Sequence, residues 1–185
     1  MKPDRQTVPF RLHLRLRTGL RRTLAAGAVA GLALLGACAT PPEEPDPGAV
    51  AAAYFEAGRT DEAAREIELA VRANPHNAPL RKQAAEIQSA VGNTAKAVGH
   101  LESAVRLDPS DAELWVALGA IEAERENTAD AYVAFRRAAE LAPNDIEAVS
   151  GLALAADKLG FEEEAEAAYT RWTQLENAAE AENRD

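Results

Sequence analysis

Pro75, Pro109 and Pro143 stand 34 residues apart, in Ala73-Asn74-Pro75-His76-Asn77, Leu107-Asp108-Pro109-Ser110-Asp111 and Leu141-Ala142-Pro143-Asn144-Asp145. Gly58, Gly92 and Gly160 keep the same period, and Glu126 stands where the skipped glycine would be. A fixed period of this length marks stacked copies of one supersecondary unit, none of which can bury its apolar face alone. The chain is rich in Ala and Glu and poor in aromatic residues and β-branched runs, a composition that favours helix.

Each unit therefore reads as two antiparallel helices, expected over 49–57 and 61–73, 78–91 and 95–107, 112–125 and 128–141, and 146–159 and 162–176. The prolines follow the last turn of each second helix and stop it, because proline cannot continue the hydrogen-bond ladder. Asn77, Asp111 and Asp145 precede first helices and are expected to cap them; Thr60, Thr94 and Asn127 are expected to cap second helices in the same way.

Trp115, Leu118, Gly119, Ala131, Phe135, Ala138 and Pro143 recur in one register in the third unit. The second offers Ala84, Ala85, Ala97, Leu101, Ala104 and Pro109, and the fourth Val149, Leu152, Ala153, Ala165 and Tyr169. The first, shortened unit offers Val50, Ala51, Tyr54, Ala63, Ile67, Ala70 and Pro75. These positions resemble the signature of the tetratricopeptide repeat, with Glu122 in place of the usual Tyr and Arg81 in place of the usual Trp. The resemblance implies an all-α fold, a right-handed superhelical array of about four hairpins over 49–176, followed by a polar tail over 177–185. Gly119, Ala51, Ala85 and Ala153 stand where the helices of a hairpin cross and larger side chains would separate the backbones. Phe135, Leu101, Ile67 and Tyr169 should fill the wedges between units, and Trp172 should close the last open face.

The N-terminus reads differently. Lys2, Arg5, Arg11, Arg15, Arg17, Arg21 and Arg22 oppose a single acid, Asp4, and Thr23 to Ala37 is an uncharged, small and apolar run. At 15 residues that run is too short for a permanent membrane helix and suits a signal-peptide core. It ends in Leu35-Gly36-Ala37-Cys38, which resembles the bacterial lipobox. The resemblance implies cleavage of residues 1–37 after Ala37 and a lipidated Cys38 anchoring the protein in the membrane. The competing reading is an ordinary secretory signal with an incidental cysteine. Ala39, rather than Asp, follows Cys38, which by the sorting preference of enteric bacteria suggests the periplasmic face of the outer membrane. Cys38 is the sole cysteine, so no intramolecular disulfide can form. Residues 38–48 hold four prolines and read as an extended spacer.

The chain carries −10 overall, but residues 38–185 hold 13 basic and 29 acidic side chains, a net −16. Such a body repels nucleic acid, so no nucleic-acid partner is expected. The sequence shows no phosphate loop, nucleophile elbow or zinc-ligand spacing. His76 falls in a turn and His100 on a second helix, without a neighbouring Cys, and Glu162-Glu163-Glu164 starts a helix, where acids favour the dipole. The expectation is therefore a protein that is not an enzyme and takes no cofactor or metal.

What remains is surface. In proteins of this repeat the first helix of each unit lines a groove, and carrying those positions over gives Phe55, Lys82, Glu86, Glu113, Val116, Ala120, Ser150 and Leu154, with Glu147 and Asp157 beside them. The implied partner is a protein segment, an extended peptide or a helix. Outer-membrane lipoproteins with such repeats include pilotin-like and tight-adherence pilus assembly proteins, which implies a scaffold in pilus or secretion-system biogenesis. An adaptor for peptidoglycan enzymes or outer-membrane protein assembly is the alternative.

Overall fold

The computed structural model describes residues 46–182. The expected signal peptide over 1–37, its cleavage after Ala37, the lipidation of Cys38 and most of the proline-rich spacer lie outside the described residues. Among the described residues there are eight helices and no strand: α1 (Pro47–Glu56), α2 (Thr60–Ala73), α3 (Ala78–Ala90), α4 (Thr94–Leu107), α5 (Ala112–Glu124), α6 (Thr128–Leu141), α7 (Ile146–Leu159) and α8 (Glu162–Glu182). They pair as four hairpins, and the second helix of each hairpin packs on the first helix of the next. α5 also touches α3 on one side and α7 on the other.

The expected helices are found in order, with shifts at the ends of the array. α1 begins at Pro47 rather than at 49, because the Asp46 carboxylate accepts a hydrogen bond from the Gly48 N–H at 3.2 Å. A proline in the first turn sacrifices no intrahelical bond, so the last residues of the expected spacer are helical. α8 runs on to Glu182 and absorbs part of the expected polar tail.

The caps divide into two kinds. Asn77, Asp111 and Asp145 accept from the backbone N–H groups of Leu80, Glu113 and Ala148, each at 2.9 Å, as their side chains predict. The caps expected on second helices do not form. Thr60 and Thr94 already lie inside α2 and α4, and α2, α4 and α6 start without a side-chain cap. Asn127 turns its amide backward instead and donates to the Glu122 carboxylate at 2.7 Å.

The reason is the turn inside each hairpin. Gly58, Gly92, Glu126 and Gly160 all take positive φ, from 64° to 80°. The residue after each one donates its N–H back across the turn: Arg59 to Tyr54 at 2.9 Å, Asn93 to Gln88 at 2.8 Å, Asn127 to Glu122 at 2.9 Å and Phe161 to Ala156 at 3.0 Å. The first helix is thus closed by its own carbonyls in a left-handed cap, and the chain enters the second helix with no room for a side-chain cap. Glycine adopts this conformation without penalty, whereas a side chain pays about 1–2 kcal/mol, and Glu126 bears that strain.

Phe135 organises the interior of the last two units. Its ring is 2% exposed, and a methyl group placed on Gly119 or Gly151 would stand 2.9 Å or 2.5 Å from it. The expectation that Gly119 brings two backbones together is corrected here: what it accommodates is an aromatic ring. Gly151 does the same from α7, two residues before the small position of its unit, Ala153. Ile67 and Leu101 fill the corresponding wedges at 0% and 1% exposure.

Two outcomes follow for unfolding in urea or on heating. Gly151→Ala should lower stability by about 1–3 kcal/mol through overpacking, and by more than Gly119→Ala. Glu126→Gly should raise stability by about 1 kcal/mol, moving the midpoint up by roughly 2–4 °C.

Candidate partner-binding face

The first helices α3, α5 and α7 bring one lysine into a field of carboxylates. Lys82 Nζ lies 2.6 Å from Glu113 Oε2, joining the second unit to the third. Glu113 is largely exposed, so this ion pair adds at most about 0–1 kcal/mol to stability. It holds the Glu113 carboxyl below the usual carboxylate range, through the hydrogen bond and the charge of Lys82. Glu86, one turn along α3, moves the other way: partial desolvation on this face pushes its carboxyl up, and the charge of Glu113 adds to the effect. Glu147 on α7 is likewise raised by burial and by Asp145. Lys82 opposes the rise at both Glu86 and Glu147. One cation thus pairs with Glu113, and its charge also acts on Glu86 and Glu147, two exposed acids of the first helices α3 and α7.

Other expected groove residues occupy a lower level. Val116, Ala120 and Ser150 are buried, at 7%, 5% and 8% exposure. Because α5 packs directly on α7, Val116 and Ala120 join the core cluster that holds Ala148, Val149 and Ala155. The Ser150 hydroxyl donates to the Glu147 carbonyl at 3.2 Å. These three floor the face rather than project from it. Leu154 is half-buried. Phe55 packs with Tyr54 and Ile67 in the core of the first unit and is not part of the Lys82 group.

The structure adds Gln88 and gives Glu122 and Arg81 contacts that the sequence did not assign. Gln88 and Glu122 are 1% and 5% exposed, 34 residues apart, and each holds the asparagine across its turn. Asn93 Nδ2 donates to Gln88 Oε1 at 2.9 Å, as Asn127 does to Glu122. Glu122 also receives Arg125, at 3.0 and 3.1 Å, which explains how a carboxylate occupies the usual tyrosine position. Arg81 does the work of the usual tryptophan: its Nε donates to the Pro75 carbonyl at 2.9 Å, and Trp115 Nε1 donates to the Pro109 carbonyl at 3.0 Å. The signal was present as the same 34-residue offset at polar positions. His100 Nε2 lies 3.4 Å from Glu68 Oε1, and His76 is exposed in its turn. Among the described residues no group of three or more His, Cys, Asp or Glu is placed to hold a metal ion. No described helix is long and apolar enough to cross a membrane.

Paired helices of about fourteen residues, reversed through a positive-φ turn, give this chain the fold of a tetratricopeptide-type helical solenoid. Residues 42–121 match the family model of the tetratricopeptide repeat, and the same hairpin geometry continues beyond that match through α8. Two crystal structures of MamA share the fold, one at 17% identity over 73% of this chain and 79% of that one (TM-score 0.68), the other at 22% over 72% and 75% (TM-score 0.66). The first such domain of Spaghetti, bound to the HSP90 peptide SRMEEVD, superposes at 25% identity over 62% of this chain and 90% of that one, with a TM-score of 0.58. No curated protein matches the chain in sequence.

Replacing Lys82 by methionine should release all three acids at once. The titration midpoints of Glu86, Glu113 and Glu147, followed by carboxyl-carbon NMR, should all rise, while Glu62, whose carboxyl Arg59 lowers, should stay where it is. A rise confined to Glu113 would show that Lys82 serves one acid only.

Proposed function

We propose that this protein is a membrane-anchored protein–protein interaction scaffold in cell-envelope assembly, and more narrowly in pilus or secretion-system biogenesis. Its first helices receive an extended peptide or a helix from a partner. The observation that carries the reading is the Lys82–Glu113 pair, which joins two successive units in a field of exposed carboxylates that includes Glu86 and Glu147. Exposed carboxylates that outnumber the cations beside them attract a partner's donors. The peptide held by the Spaghetti domain is precedent for this mode of binding. That peptide's own acids would be repelled by these three carboxylates, so the segment suited to this face is neutral or basic.

The anchor rests on Leu35-Gly36-Ala37-Cys38 and on the absence of any other cysteine. Ala39 directs the reading to the periplasmic face of the outer membrane. The folded part would stand off that surface on the spacer, with its first helices open to assembling proteins.

The test is made in cells, with a photo-crosslinking residue in place of Ser89 on α3 and, as a control, in place of Glu140 on α6. Ser89 should capture a defined envelope protein, and Glu140 should not. Changing Glu86, Glu113 and Glu147 together to lysine should abolish the capture, and Cys38→Ala should move the protein from the membrane to the soluble fraction. Capture that survives the triple reversal would end the groove reading.

A further inference from the structure

The three junctions between units can be compared position by position, because residues 34 apart occupy the same place. At the first junction Glu68 accepts from Gln88 Nε2 at 2.8 Å, with His100 Nε2 at 3.4 Å and Lys96 Nζ at 3.8 Å. One acid is thus met by three donors, and the His100 side chain is largely buried beside it. At the last junction Arg136 takes the place of Glu68 and Glu164 that of Lys96. Tyr132 bridges them: its hydroxyl donates to Glu164 at 2.6 Å and its ring carries the Arg136 guanidinium 5.5 Å from its centroid.

The middle junction breaks the rule. Its equivalents are Glu102, Glu122 and Asp130, all acids, and Ala134 stands where His100 filled space. Arg125 answers Glu122, but Glu102 and Asp130 have no hydrogen bond or ion pair among the described residues. A cleft of about 200 Å³ is left between α4 and α6. Its walls are not simply acidic. Trp115 and Leu118 line it from α5, and Val133, 52% exposed, lines it from α6.

We propose that this cleft is a docking notch for one basic side chain, an arginine for preference, presented by a partner segment. The aliphatic stem lies against Trp115 and Val133, and the guanidinium reaches Glu102 and Asp130. The choice of occupant follows from charge: the first and last junctions place Lys96 and Arg136 at these positions, whereas in the middle one Arg125 pairs with Glu122 and no cation pairs with Glu102 or Asp130. Arginine is favoured over lysine because its flat, weakly hydrated head stacks on an indole and forks onto carboxylates. Trp115 is already held for this role by its bond to the Pro109 carbonyl. The notch lies on the side of the second helices, and the inference stands independently of the Lys82 face.

The experiment titrates the nitrogen-15-labelled full-length protein with acetyl-Ala-Arg-Ala-amide and, as control, acetyl-Ala-Glu-Ala-amide. The readout is the indole N–H signals of Trp115 and Trp172. The arginine peptide should shift Trp115 saturably and leave Trp172 in place; the glutamate peptide should shift neither. The double variant Asp130→Lys, Ala134→His copies the first junction onto the middle one and should weaken the Trp115 response by about tenfold. If that variant unfolds, the single change Glu102→Gln at an exposed position serves instead and should also weaken the response. A Trp115 signal that does not saturate, or that responds equally in the variants, overturns the proposal. Shifts confined to the backbone N–H groups of Glu86, Glu113 and Glu147, with the Trp115 indole unmoved, would overturn it too, and would leave the groove reading intact.

Discussion

The left-handed turn inside each hairpin is the constraint from which the rest of the array follows. Four times the chain reverses through a residue at positive φ, and four times the next N–H returns to a carbonyl five residues back. That bond fixes where the first helix ends and the angle at which the second leaves. With the angle fixed, equivalent small side chains are buried in successive units: Ala51 and Ala63, Ala85 and Ala97, Ala153 and Ala165. Small residues there let the helices approach, and the apolar residues beyond them, Ile67, Leu101 and Phe135, are carried outward to the next hairpin. Each unit therefore offers a surface that only its neighbour can cover, which makes stability a property of the stack.

A stack has two ends, and this one treats its last end with aromatic cover. Trp172 and Leu175 on α8 pack onto the cluster around Phe135, and Tyr169 stacks on Trp172 with ring centroids 6.1 Å apart. The Trp172 Nε1–H is buried without a hydrogen-bond partner, a cost of about 1–3 kcal/mol. Burying most of an indole against the open face offsets a penalty of that size. The expected role of Trp172 as an end cover agrees with this placement, and the extension of α8 to Glu182 lengthens the same cover.

The backbone was legible in the sequence because its determinants are repeated and local. Pro75, Pro109 and Pro143 placed the helix ends, the glycines placed the turns, and Asn77, Asp111 and Asp145 placed the caps. The errors came where two local preferences compete. Asn127 is a good cap in isolation, yet the turn geometry gives its amide a buried acceptor on Glu122 instead. Gly151 carried no repeat signal, since its neighbour Ala153 holds the small position; only the ring of Phe135 shows why it is glycine. Val116 and Ala120 lie on the first-helix face by spacing, but spacing does not reveal that α5 and α7 touch and close over them. The Lys82–Glu113 pair was legible as residues on one face, whereas the opposite shifts of Glu113 and Glu86 depend on which carboxylate the amine reaches.

The polar seam behind each turn varies while the apolar lattice does not. Position by position it reads Tyr54, Gln88, Glu122 and Ala156, and across the turn Arg59, Asn93, Asn127 and Phe161. The first pair is a guanidinium 4.5 Å from the centroid of a phenol ring, the next two are side-chain hydrogen bonds, and the last is apolar. Four different chemistries satisfy one backbone turn, because the turn is closed by main-chain atoms and asks only that the side chains beside it leave no buried polar group unpaired. That tolerance separates the two burdens on the sequence. Proline, glycine and alanine at fixed offsets specify the stack, and the seam and the first-helix faces are free to change charge from unit to unit. Differences among otherwise identical units are therefore concentrated in charge, as the acids of the middle junction and Lys82 among the first-helix carboxylates both illustrate.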